Sequence, residues 1–327
     1  MNEREIFTGV AETGRMLLES GLVARTWGNF SARLDETHFA ITPSGLGYEG
    51  MQAEDIVRFC LTDGTYEGTR KPSSEKGIHA EAYRLFADAG FVIHTHQVYA
   101  TALGLGAPES LAITDAETAA LGGIAFAEYG LPGTKTLKNA VAAAFRTGAH
   151  TVLMRHHGAL IVGTDRENAI DRAKLLEDIC RRSLRSNAPV PEERDTDALL
   201  GRVKQTFPLA GIETGEASRA WSALCLPLPA QLDDAAQMIG LRIPAARNEN
   251  ELLRLLQRSP AVFLESAGAV VSGEDASDTE ALKMLVNKAA VAALHAKALG
   301  LRPVLGLFDR ILMRLVYKMK YSKQKRG

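Results

Sequence analysis

The sequence predicts an α/β protein, and three observations carry that expectation. Short apolar runs closed by glycine, proline or hydroxyl-bearing turns recur through the first 165 residues, as strands do. Segments with apolar residues at helical spacing stand between and after them. The second half then repeats part of this strand and helix pattern. At 327 residues and 46% hydrophobic content the chain has material for one large or two ordinary soluble domains.

In chain order, Ile6, Val10, Leu17 and Leu18 form a helical stripe ended by Gly21. Gly28-Asn29 turns into a strand, and a second short strand at 38–42 ends at Pro43-Ser44-Gly45. Asp63-Gly64 reads as the turn of a hairpin between 57–61 and 65–67. Pro72-Ser73-Ser74-Glu75 opens a helix through Ile78, Ala82 and Leu85. Either serine can cap that helix, and two hydroxyls at a helix N-terminus also suit an anion. A strand follows at 92–97, then helices at 99–103, 112–123 and 137–145. Two strands hinged at His156-His157-Gly158 come next, and Asp165 caps a long helix to about residue 184. The polar, proline-bearing stretch 187–193 is the expected boundary between domains at 1–190 and 200–327.

Residues 261–275 align without a gap on 151–165, so that Gly158 falls on Gly268, Gly163 on Gly273 and Asp165 on Asp275. Residues 228–240 resemble 111–123, and a long helix at 279–299 closes the second copy as another closes the first. Where the first copy has His156 and His157, the second has Ser266 and Ala267. The second copy is expected to be partial and without chemistry of its own.

A net charge of −1 provides no global field for non-specific nucleic-acid binding. Cys60, Cys180 and Cys225 are odd in number and lack CxxC spacing, which argues against a disulfide framework and a thiolate zinc site and for a reducing compartment. No signal peptide and no apolar run of about eighteen residues is evident, so a cytoplasmic setting is expected. The terminal stretch has Lys318, Lys320, Lys323, Lys325 and Arg326 among Tyr317 and Tyr321. It reads as a solvated helix end or as a face for an acidic partner or anionic surface.

The chemistry centres on Val92-Ile93-His94-Thr95-His96-Gln97. On a strand, His94 and His96 share one face, and two buried imidazoles there call for a partner. His157 and Glu75 complete a candidate set of three imidazoles and a carboxylate, the donor chemistry of zinc or a neighbouring divalent metal. His79, one helical turn after Glu75, reads as structural rather than as a ligand.

Residues 5–185 resemble the class II aldolase/adducin family. The resemblance rests on Gly28-Asn29-Phe30-Ser31, Thr42-Pro43-Ser44-Gly45, Ser73-Ser74-Glu75, His94-Thr95-His96 and His156-His157-Gly158, in the family's order and spacing. It implies a three-layer α/β/α domain with a largely antiparallel central sheet, followed here by the partial degenerate repeat. It further implies Zn2+ or another divalent metal held by His94, His96 and His157, with Glu75 as ligand or base. Asn29, Ser44, Gly45, Ser73 and Ser74, with Thr26 a further candidate, would cradle a substrate phosphate. The implied activity is retro-aldol cleavage of a phosphorylated ketose through a metal-stabilised enediolate. Epimerase or dehydratase chemistry, or a catalytically silent adducin-like interaction role, are the alternatives. The implied partners are a sugar phosphate and further copies of the chain in a tetramer, with no nucleic acid and no membrane. One departure stands out. Aldolases of the family place a tyrosine where residues 113–118 have none, and Asp115 lies nearest that position, with Glu117 close by, as candidate acid/base partners. An aspartate in this region is similar to the family's epimerases, whereas those enzymes have aspartate where this chain has Glu75.

Overall fold

The structure is a computed structural model that describes residues 2–106 and 108–324, with the backbone alone described for 320–324. Lys325 and Arg326 of the basic tail lie outside the described residues. The chain forms two compact units, Met1–Ser183 and Leu184–Gly327.

The first unit runs α1 (Glu3–Glu19), β1 (Asn29–Arg33), β2 (His38–Ile41), β3 (Val57–Cys60), β4 (Tyr66–Glu67), α2 (Lys76–Leu85), β5 (Phe91–Thr95), α3 (Val98–Leu103), α4 (Asp115–Ala120), β6 (Ile124–Ala127), α5 (Lys135–Phe145), β7 (Thr151–Met154), β8 (Gly158–Gly163) and α6 (Arg166–Ser183). Eight strands make one sheet in the order β4-β3-β2-β1-β5-β8-β7-β6. Every pair is antiparallel except β6–β7. β5 is central and buried along its whole length, with β1 on one side and β8 on the other.

Helices α2 and α5 cover one face of the sheet. Ile78, Ala82, Leu137, Val141 and Phe145 pack there against Phe39, Val92, Val152 and Leu160. Helices α1, α3 and α6 contact the strands as well, and α6 brings Ala169, Ala173 and Leu176 into the core. The result is the expected three-layer α/β/α arrangement, with the sheet buried on both sides. Local chemistry sets the ends of its helices. Asn2 and Glu5 form a reciprocal capping box on α1. The Asp165 carboxylate accepts from Asn168 N at 2.8 Å where α6 begins.

Two expectations are corrected here. The helix expected across 112–123 is confined to Asp115–Ala120, because Thr114 caps it and Gly122 and Gly123 both take positive φ. Neither serine of Ser73-Ser74 is the N-cap of α2. That position belongs to Glu75, and Ser73 Oγ accepts from Glu75 N at 3.2 Å.

The second unit comprises α7 (Asp197–Thr206), β9 (Ala210–Glu213), α8 (Glu216–Ser222), β10 (Leu228–Pro229), α9 (Asp233–Met238), β11 (Arg242–Ile243), β12 (Ala245–Ala246), α10 (Glu249–Leu256), β13 (Ala261–Leu264), β14 (Gly268–Ser272), α11 (Ala276–Ala298) and α12 (Leu307–Gln324). Its four-stranded sheet has the order β12-β13-β14-β9. β12–β13 is parallel and the other two pairs are antiparallel. In the first unit β6-β7-β8-β5 has the same order and the same directions.

Candidate metal centre

Four separate segments build the centre, and the sheet register brings them together. Asn29 on β1 lies directly opposite His94 on β5, and Leu160 on β8 lies opposite His94 from the other side. Gly28 makes the first approach possible: its φ is +111°, and a Cβ there would sit 2.6 Å from the His94 carbonyl oxygen. Gly158 makes the second. A Cβ at Gly158 would stand 2.2 Å from Thr95 O, so only glycine lets β8 start flush against the end of β5. The turn before it places His156 in the left-handed region at φ 63°, and the His157 N–H closes that turn by donating to Met154 O at 3.2 Å.

The imidazoles converge. His94 Nε2 lies 3.1 Å from His96 Nε2 and 3.0 Å from His157 Nε2. The Glu75 carboxylate closes the group, with Oε2 at 3.1 Å from His94 Nε2 and Oε1 at 3.0 Å from His157 Nε2. One donor atom from each of the four residues lies within 4.8 Å of the other three. Glu75, His94 and His157 are buried and His96 is half-buried.

The protonation pattern suits a cation. His94 Nδ1 lies 2.8 Å from Ala159 O, and a carbonyl only accepts, so Nδ1 bears the proton and Nε2 turns a lone pair inward. Burial pushes the Glu75 carboxyl up, but the neighbouring His94 and His157 imidazoles outweigh it and hold it well below the usual range. Its Oε1 is buried with His157 Nε2 as its near partner. The inward His94 lone pair and the Glu75 carboxylate repel each other unless a positive charge lies between them. Three nitrogens and one oxygen fit a divalent metal of the zinc type.

Behind Glu75 runs a buried chain of hydrogen bonds. Asn29 Nδ2 donates to Glu75 Oε2 at 3.1 Å, which leaves Asn29 Oδ1 to face His79 Nε2 at 2.5 Å. His79 Nδ1 therefore accepts from the Ser31 hydroxyl at 2.7 Å, and Ser31 Oγ accepts from Tyr83 at 2.8 Å. Burial and the nearby His94 together outweigh Glu75 and push His79 down to about 3, so it is neutral and its tautomer is fixed by its two partners. Burial likewise pushes the Tyr83 hydroxyl up. His79 is thus no direct member of the metal set. It fixes the Asn29 amide, and the amide fixes Glu75.

The remaining sequence candidates divide. Pro43 and Pro72 bridge the loops 42–45 and 71–75, with Ser44 N donating to Lys71 O at 2.9 Å and Ser73 N to Thr42 O at 3.1 Å. Ser44, Gly45, Ser73 and Ser74 therefore lie on neighbouring loops. Ser74 is exposed, whereas Ser73 is buried beneath Glu75. Asn29, expected among phosphate ligands, has its amide on Glu75 and His79. Asp115 stands exposed in the first turn of α4, outside the four-residue cluster. Glu117 serves that helix: it accepts from Thr114 N at 2.9 Å and pairs with Arg182 at 2.6 Å, contacts that bring its carboxyl down to about 2.

Residues 8–184 match the family model described as the Class II Aldolase and Adducin N-terminal domain. Among solved structures, YgbL from Klebsiella pneumoniae is similar at 23% identity and a TM-score of 0.52, over 56% of this chain and 89% of that one. That likeness is one of fold. An L-fuculose 1-phosphate aldolase is similar at 31% identity and a TM-score of 0.49, over 54% of this chain and 84% of its own. The l-fuculose-1-phosphate aldolase from Thermus thermophilus is similar at 26% identity and a TM-score of 0.47, over 55% of this chain and 93% of its own.

Proposed function

Because the chain belongs to the class II aldolase and adducin family, we propose that it is a divalent-metal-dependent aldolase that cleaves or forms a phosphorylated ketose. The observation that carries this reading is the convergence of Glu75, His94, His96 and His157 within 4.8 Å. His94, His96 and His157 would hold the metal, Zn2+ by donor chemistry, with Glu75 beside them. The bound ion supplies Lewis-acid stabilisation of negative charge that develops on substrate oxygens.

The chain's own residues do the rest. In the cleavage direction Asp115 takes the proton of the hydroxyl beside the scissile bond, the bond between the hydroxyl-bearing carbon and the future enediolate carbon breaks, an aldehyde departs, and the proton passes through solvent to Glu75. Glu75 returns a proton to the enediolate carbon as general acid and removes it in the reverse direction. Asn29 keeps the carboxylate turned toward the reacting carbon. Ser44, Gly45 and Ser74 would take the phosphate, with Ser73 seated behind them as the anchor of Glu75, and this remote contact orients the reacting carbons. Asp115 is the proposed second proton carrier. Its exposure on α4 suits a role across a subunit boundary, in a homo-oligomer whose copies share their sites.

The missing tyrosine and the aspartate near it favour one second reading, a sugar-phosphate epimerase built on the same metal centre. The test is a panel of ketose phosphates assayed for aldehyde release and for epimerised product, alongside metal analysis of the purified protein. Aldehyde release with about one metal per chain supports the aldolase. Absence of a bound divalent ion would overturn both readings.

The second unit is proposed to be a partial copy of the first that has lost the centre. Ile212 occupies the position of His94, since Val270 faces it as Leu160 faces His94. Thr214 and Ala267 take the places of His96 and His157. A reducing, cytoplasmic setting fits the three free cysteines. No helix among the described residues is long and apolar enough to cross a membrane.

A further inference from the structure

Helix α12 turns an apolar side outward. Met313 is buried, and Arg310 and Arg314 reach inward to the carbonyl oxygens of Leu241 and Gln237, which seats that face on the second unit. On the opposite face Phe308, Ile311, Leu315 and Met319 follow one another at spacings of three and four residues, and they are 74%, 43%, 52% and 59% exposed. Leu301 and Val304, in the stretch leading into the helix, are exposed as well. Half of the sixteen large hydrophobic side chains exposed among the described residues fall within 301–319. Such clustering marks an interaction surface rather than the scattered exposure that needs no explanation.

Charge selects the occupant. Residues 318–327 contain five Lys or Arg and no Asp or Glu, in a chain whose net charge is −1. Asp309 is the one acidic residue of α12, so a second copy seated on this face offers the C-terminal cations a single carboxylate from its own helix. An acidic peptide would neutralise the cations but leave Phe308, Ile311 and Leu315 in water. A surface that offers anions at its edge and hydrocarbon beneath satisfies both groups.

We propose that α12 docks the protein on an anionic lipid bilayer. The helix lies in the interfacial plane, with Phe308, Ile311, Leu315 and Met319 among the acyl chains, and the net positive charge of the sequence from residue 318 onward draws it to anionic headgroups. Charge alone favours a solvated helix end; the uncovered apolar stripe beside it favours the anionic surface. The contact is peripheral and leaves the metal centre's composition unchanged.

The full-length protein is sedimented with phosphatidylcholine vesicles and with vesicles of phosphatidylcholine and phosphatidylserine. Binding is expected to the second type, about tenfold stronger than to the first, and to weaken steeply as salt rises to about 0.5 M. A paired Phe308→Ser and Leu315→Ser variant keeps every charge and is expected to lose at least about tenfold in binding. Its circular dichroism, metal content and turnover should match the wild type. Equal binding to both vesicle types, or none to either, overturns the proposal. An oligomer that the paired variant dissociates, without vesicle binding, would make the face a self-interface. Retention on polyglutamate without vesicle binding would make it a site for an acidic protein. Either result also overturns the proposal.

Discussion

His79 Nε2 lies 2.5 Å from Asn29 Oδ1, and this contact settles which way the Asn29 amide faces. With its oxygen held by His79, the amide can only present its NH2 group to Glu75, which it does at 3.1 Å. A histidine one helical turn from the candidate base thus orients that base through a third residue.

Removing the His79 donor should therefore lower turnover without emptying the centre. His79→Ala is expected to reduce kcat by about 10- to 100-fold with little change in KM. Metal content should stay near the wild-type value. His79→Gln, whose amide can still donate toward Asn29, is expected to recover part of the loss. A purely structural histidine would show no such rescue in steady-state kinetics once stability is matched.

The same residue should make the fold sensitive to acid. His79 is held down to about 3 in the folded chain, against an ordinary value of 6.5. Above pH 6.5 it is neutral in both states and contributes no pH dependence. As pH falls from 6.5 toward 3 the unfolded chain takes up a proton that the folded chain refuses. Stability then declines by about 1.4 kcal/mol per pH unit from this group alone. Urea unfolding of wild type and His79→Gln at several pH values checks it, and the variant should show the shallower slope.

Metal removal should abolish turnover reversibly. Dialysis against a chelator is expected to lower kcat by about a thousandfold, since the lost charge stabilisation amounts to several kcal/mol. Added divalent ion should restore it. His94→Ala should resist that restoration, and residual activity that ignores both treatments would remove the metal from the mechanism.

Gly158 should tolerate no side chain. A Cβ placed 2.2 Å from Thr95 O must push β8 away from β5, and both are buried strands. Gly158→Ala is expected to destabilise the protein by about 3 kcal/mol and to lower metal affinity with it, because His157 precedes this residue. Thermal unfolding and metal titration of the variant test the pair of effects together.

The acidic pair on α4 should separate cleanly. Asp115→Asn is expected to lower turnover about tenfold or more with an unchanged melting temperature, as a proton carrier would. Glu117→Gln should do the reverse, because Glu117 closes the Thr114 capping box and pairs with Arg182. If Asp115→Asn turns over normally, the second proton carrier lies elsewhere.

How much of this was legible beforehand follows from what each feature depends on. The cluster of Glu75, His94, His96 and His157 could be read from residue type and spacing, because metal chemistry restricts both. The α/β class and the large sheet followed from short apolar runs closed by turns. The Asn29–His79 contact could not be read that way, since it needs the β1–β5 register and the packing of α2 over it. Spacing did place His79 one turn after Glu75, and that was the available signal. Ser73 illustrates a different difficulty: a serine before a helix looks like a cap in sequence, yet here it supports the residue that holds the cap position. The outward face of α12 was illegible because the same apolar spacing also describes a helix buried on one side.

The hinge between β7 and β8 has its counterpart between β13 and β14. His156 and Ser266 both take left-handed backbone, at φ 63° and 55°, and a Cβ at Gly158 or Gly268 would strike the neighbouring strand's carbonyl at 2.2 or 2.1 Å. The close approach is common to both sides, with Gly268 alone also at positive φ, +104°, while the imidazole appears on one side only. The chain thereby carries a second hinge of the same path without histidines. What the two hinges share is what the bend itself requires, so the cost of building it can be measured at Gly268 without touching a histidine.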